Sequence, residues 1–160
     1  MGGGHVIGDY SIGNLGGYSL LGVGDFNGDH TSDFLWRNNF SGVTETWLMQ
    51  QGVPTGGSTI GNLANYQLLA TTDVNHDGTD DLVWRNIADG TTSTWVMHNG
   101  QFQNEEQSLG TIPLSTVAAG SGDFTGDGGK DLLLLNSAAN TTTFLDTEYH
   151  ALTASDFLIV

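Results

Sequence analysis

Cysteine is absent from the 160 residues, and basic side chains are scarce. Without a thiol there is no disulfide framework, no cysteine zinc site and no thiol nucleophile; whether the compartment is oxidising stays open. Three Lys and Arg residues stand against 18 acids, a net charge of −15. With no basic patch to neutralise phosphate, nucleic acid is not an expected partner. No apolar run reaches the ~18 residues of a spanning helix, so no membrane span is expected. The start, Met1 and three glycines, has neither the charged nor the apolar region of a signal peptide. Residues 1–5 read as a linker or an expression scar. There is no Gly-x-Ser-x-Gly stretch, and the five histidines lack zinc-ligand spacing.

Charged residues make up 13% and hydrophobic ones 38%, with 24 glycines, which describes a folded chain rich in turns rather than a disordered one. Its length suits one domain with a real core. The acids are concentrated. In Asp73-Val-Asn-His-Asp-Gly-Thr-Asp-Asp81, acidic or amide side chains fall at positions 1, 3, 5 and 9, and Gly78 is at position 6. Alternating oxygen donors followed by a glycine that turns the chain sharply suit a hard cation such as calcium. It is not an EF-hand, because Trp84 stands at position 12 where a bidentate Glu belongs. Asp81 would supply the closing carboxylate. An acidic hairpin turn that binds nothing is the plainer reading of any one copy. The stretch recurs as Asp25-Phe-Asn-Gly-Asp-His-Thr-Ser-Asp33 and Asp123-Phe-Thr-Gly-Asp-Gly-Gly-Lys-Asp131. Carboxylates gathered three times at matching offsets repel one another unless a cation sits among them. With the acids so committed, no acid–base pair is left to name, and no enzyme activity is expected.

Repetition extends beyond the loops. Asp25 and Asp73, Asp33 and Asp81, Trp36 and Trp84, Arg37 and Arg85, and Trp47 and Trp95 are each 48 residues apart. A third copy follows at an offset of 50, giving Asp123, Asp131 and Asn136; one dropped residue would then put Phe144 where Trp95 falls. Each repeat reads as four short strands: in the second, a over 66–72, b over 81–86, c over 92–98 and d over 101–109. Asn99-Gly100 is a strong hairpin signal between c and d. Apolar residues on both faces of b and c imply a sheet covered on both sides. The expected fold is all-β, with antiparallel four-stranded propeller blades, three repeats per chain (18–65, 66–113 and 114–160). A β-helix is the alternative, but its period is near nine. Residues 6–15 match the end of repeat 1 and are expected to form an orphan outer strand.

The acidic loops, the following Asp81-Leu-Val-Trp-Arg-Asn86 and the Trp-x-Met of strand c resemble FG-GAP/VCBS repeats, the calcium-binding blades of integrin α-like and lectin-like propellers. The resemblance covers about 18–147. It implies a calcium ion in each loop between strands a and b. The implied ligands are Asp25, Asn27, Asp29 and Asp33; Asp73, Asn75, Asp77 and Asp81; and Asp123, Thr125, Asp127 and Asp131. Backbone carbonyls of Thr31, Thr79 and Gly129 complete the sets. His30 and Thr125 depart from the family pattern, in place of a glycine and of an Asn or Asp.

Trp36, Arg37, Trp84 and Arg85 are candidates for ligand contact, by sugar stacking or by clamping a carboxylate; filling the space between blades is the alternative. Three repeats fall short of the roughly four or more blades of a closed ring. Either the chain is a fragment or copies associate, and a dimer would make six blades. The orphan strand would then complete a blade lacking its outer strand. The tail, ending Asp156-Phe-Leu-Ile-Val160, is similar to C-terminal signals of type I secretion and equally reads as a closing strand d. The implied function is a secreted, calcium-stabilised binding module for adhesion or carbohydrate recognition. The alternative is a structural part of a larger secreted protein.

Overall fold

The structure, a computed structural model, describes residues 11–126, 129–147 and the backbone of 157–159. Its described residues form twelve strands and no helix. They are β1 (Tyr18–Gly24), β2 (Asp33–Asn38), β3 (Val43–Gln50) and β4 (Val53–Asn62); β5 (Tyr66–Thr72), β6 (Asp81–Asn86), β7 (Thr91–His98) and β8 (Gln101–Thr111); and β9 (Thr116–Gly122), β10 (Asp131–Asn136), β11 (Thr141–Leu145) and β12 (Phe157–Ile159). Each set of four is an antiparallel meander in chain order, the layout of a propeller blade, and the three sheets stack without closing a ring. β5 and β6 have the expected bounds, β7 starts one residue earlier and β8 runs two further. Asn99 (φ 50°) and Gly100 (φ 73°) are both left-handed, as a two-residue type I′ hairpin requires, and Gln51 (φ 51°) and Gly52 (φ 81°) repeat that turn in the first sheet.

Alternation along the strands divides the core in two. Leu82 and Trp84 on β6 face the first sheet and join Phe26, Leu35, Leu63 and Met97. Val83, pointing the other way, joins Leu69, Leu109, Ile112, Leu132, Leu134 and Leu145 against the third sheet. The middle sheet is therefore covered on both sides and each outer sheet on one. Burying side chains of this size contributes roughly 1.5–3 kcal/mol each, so these two layers carry most of the cohesion.

Two expectations change. Leu132 pairs with Leu145 and Leu133 with Phe144, just as Leu82 pairs with Trp95 and Val83 with Thr94. No residue is dropped: Leu145, not Phe144, holds the place of Trp95. The ladder register decides this, since Leu145 is wholly buried against the second sheet whereas Phe144 lies on the opposite face beside Phe124, at 5.9 Å. The orphan strand falls partly outside the described residues, and residues 11–15 carry no strand. The outer edge of the third sheet is taken by β12 from the chain's own tail, which pairs with β11.

Candidate metal centres

The three acidic loops connect β1 to β2, β5 to β6 and β9 to β10. In the first, the Asp25 carboxylate faces inward and accepts backbone N–H groups: Oδ1 from Gly28 (2.7 Å) and Asp29 (3.2 Å), Oδ2 from His30 (2.7 Å). The second repeats this, with Asp73 Oδ1 accepting from Asp77 (3.1 Å) and Oδ2 from Gly78 (2.9 Å). Asn27 and Asn75 accept from the N–H of Asp29 and Asp77 and donate to their carboxylates, at 3.0 to 3.1 Å. Asp29 and Asp77 in turn accept from Thr31 and Thr79, each at 2.8 Å. In the third loop, Asp123 accepts from Gly126 (2.6 Å) and Thr125 donates its N–H to Asp131 (3.0 Å). Gly129 is buried, and Asp127 lies outside the described residues.

The ninth-position acids sit deeper than the others. Asp33 and Asp81 are wholly buried and Asp131 nearly so. Asp33 takes the N–H of Phe26 on Oδ2 (3.0 Å) and of Met49 on Oδ1 (2.8 Å). Asp81 does the same with Val74 (3.0 Å) and Met97 (2.7 Å). Each of these two therefore ties the loop to the third strand of its sheet, a role beyond closing a metal shell. Burial pushes the Asp81 carboxyl up to about 7, and the neighbouring Asp77 and Asp73 add to the rise against the pull of the two N–H bonds. Asp33 is raised for the same reasons, with Asp29 and Asp25 as its neighbours.

A buried anion needs a cation or a proton. His30 pairs with Asp25, at 3.9 Å, and no cationic side chain among the described residues acts on Asp33 or Asp81. Among the described residues, no three acidic or imidazole side chains converge closely enough to grip a metal by themselves. A half-buried carboxylate, an exposed carboxylate, an amide oxygen, a carbonyl and a buried carboxylate make an all-oxygen donor set in each of the first two loops. That chemistry fits a hard divalent cation. Asp25, Asn27, Asp29, Asp33 and the Thr31 carbonyl would hold it in loop one, and Asp73, Asn75, Asp77, Asp81 and the Thr79 carbonyl in loop two. The ion would neutralise the carboxylates.

Two features escaped the sequence. The loops need two left-handed residues, at positions 4 and 6: Gly28 (φ 77°) and His30 (φ 64°) in loop one, His76 (φ 59°) and Gly78 (φ 85°) in loop two. Glycine alone at position 6 was the visible signal. Asp80 also reaches across to the first loop, accepting from Asp25 N–H (2.9 Å) while its own N–H donates to the Asp25 carbonyl (2.7 Å). Its counterparts are Ser32 and Lys130, so repetition gave no hint of it.

Arg37, Trp84 and Arg85 lie at the junctions between sheets, and Trp36 packs beside Phe34 and Trp47 of its own sheet. Trp84 is wholly buried and Trp36 is 8% exposed, which leaves no open ring face for a sugar. Arg37 donates to the carbonyl of Tyr66 (2.9 Å), where β5 begins, and lies 5.7 Å from the Trp84 ring centre. Arg85 donates to Thr116 (2.8 Å), where β9 begins, to Pro113 (3.0 Å) and to Gln67 Oε1 (2.6 Å). Each arginine thus clamps the first strand of the next sheet.

Three stacked four-stranded meanders, each with an acidic loop between its first two strands, define propeller-like blades. Residues 73–134, from the second acidic loop into β10, match the family model described as FG-GAP-like repeat. No curated protein and no solved structure matched the chain.

Proposed function

We propose that the chain is a non-enzymatic, calcium-stabilised propeller module that acts outside the cell in adhesion or carbohydrate recognition, as a homo-oligomer with two chains per ring. The observation that carries the metal assignment is the pair of buried carboxylates, Asp33 and Asp81, that lie without a cationic side chain beside two further loop acids each. The role given to calcium is structural: it neutralises the loop and locks the first two strands of each blade. Extracellular calcium modules bind with dissociation constants on the order of 0.1–1 mM, so millimolar calcium adds roughly 0.5–1.5 kcal/mol per site. The match to FG-GAP-like repeats supports the propeller reading, and the resemblance to adhesion and lectin blades supports the extracellular one. Export by a C-terminal type I signal belongs to the same proposal.

Thermal unfolding in calcium and in chelator tests the metal role. A midpoint several degrees higher in calcium is expected, and equal midpoints overturn it. A glycan array probed at saturating calcium tests carbohydrate recognition, which a blank array removes. A second reading, a structural part of a larger secreted protein, is favoured by the uncovered apolar side chains Leu20, Val23, Val117 and Leu135 on the outer sheets. Finding the whole reading frame to contain a catalytic domain would support it.

A further inference from the structure

The two junctions between sheets follow a rule of size. A Cβ on Gly22 would come within 2.7 Å of Leu68 and 3.2 Å of Thr71, so Leu68 fills the space that Gly22 leaves. At the second junction the corresponding residues are Ala70 and Ala118, both packed against the same core. Leucine meets glycine at one junction, and two alanines line the other. The two outward faces present the remaining pair. Leu20, the counterpart of Leu68 and Ala118, is 46% exposed. Gly120, the counterpart of Gly22 and Ala70, has nothing within 4 Å of where its Cβ would stand.

The rest of those faces agrees. Phe26 and Val74 are buried, while their counterpart Phe124 is 48% exposed. Leu135 stands where Arg37 and Arg85 stand, and is uncovered beside Val117. The outward face of the third sheet is thus an apolar version of a face the chain already packs twice, and the outward face of the first sheet is its natural complement.

We propose that these two faces bind each other between two copies of the chain, so that two chains close a six-sheet ring with Leu20 seated over Gly120. This deepens the self-association part of the proposed function and stands apart from its calcium part. A head-to-tail contact closes only if the rotation per junction suits the number of sheets, and six lies within the usual propeller range of about four to eight. Repulsion between copies of net charge −15 opposes the contact, and salt of about 0.15 M screens it beyond about 8 Å.

Light scattering on the eluting chain tests this at about 100 µM, in calcium and in chelator. Twice the chain mass of 16.9 kDa is expected in both. Gly120→Leu fills the seat, with nothing of its own chain within 4 Å of the new Cβ, and is expected to weaken association about tenfold or more while leaving the circular dichroism unchanged. The double variant Leu20→Ala/Gly120→Ala copies the internal Ala70–Ala118 pair and should remain a dimer. A single-chain mass overturns the proposal and leaves the faces to another occupant, such as a further blade of the same polypeptide. So does a dimer indifferent to Gly120→Leu, a mass that climbs beyond two chains, or a doubling seen only with calcium.

Discussion

Trp84 and Trp36 hold the same place in repeats 48 residues apart, yet their strands are covered differently. β6 is buried from Asp81 through Arg85, whereas in β2 only Asp33, Leu35 and Trp36 are buried. The neighbouring first strands show it most plainly: Leu68 and Thr71 of β5 press on Gly22, while Leu20 and Val23 of β1 are 46% and 44% exposed. Nearly the same residues thus form a two-sided core sheet in one setting and a one-sided outer sheet in the other. What differs is the neighbour, so position in the stack decides what each repeat-equivalent residue contributes.

The largest expected contrast lies in the tryptophan core. Trp84→Ala should cost about 3–5 kcal/mol in a denaturant melt, because it opens a cavity at the wholly buried centre of the first junction. Leu20→Ala, in dilute protein, should stay within about 0.5 kcal/mol. Similar losses from the two would erase the distinction between inner and outer sheets.

Next comes the arginine clamp. Arg85→Leu makes the second repeat like the third and removes the guanidinium from the carbonyls of Pro113, which keeps the Thr116 N–H, and Thr116, at a cost of about 1–3 kcal/mol. Leu135→Arg, the reverse exchange on an open face, should change stability by less than about 0.5 kcal/mol.

The pH response in calcium-free buffer separates the buried carboxylates from the exposed ones. Folded Asp81 holds its proton up to about 7, while the unfolded chain releases it near 3.8. Between those values the folded state binds more protons, so stability falls as pH rises and levels off above about 7. Asp81→Asn should flatten that slope in a series of melts across pH. Stability that climbs with pH across the window would contradict the assignment.

The smallest effect concerns the loop turns. His30→Gly and His76→Gly each relieve a left-handed backbone that L residues resist, and each should stabilise by about 0.5–1 kcal/mol. A loss on either substitution would mean that the imidazole itself supports its loop.

The residue pattern carried the strand plan almost to the residue in the second repeat, because alternation, the Asn99-Gly100 turn and the acidic loops all punctuate the chain at the same points. It failed where two signals competed. Phe144 looked like the aromatic counterpart of Trp95 in the third repeat, but hydrogen-bond register places Leu145 there. The arginines looked like ligand clamps because their acceptors, carbonyls of the following sheet, leave no mark in side-chain sequence. A further bond of the ninth-position acids was silent in the sequence: the N–H groups of Met49 and Met97 that Asp33 and Asp81 accept became visible only with the third strand in place.

Calorimetric titration of calcium into the stripped chain tests the metal assignment most directly. Saturable heats from three loop sites are expected, with affinities on the order of 0.1–1 mM, and Asp73→Ala should remove one site while the fold remains. A titration that gives only the heat of dilution up to about 10 mM calcium, well above that affinity range, would contradict it.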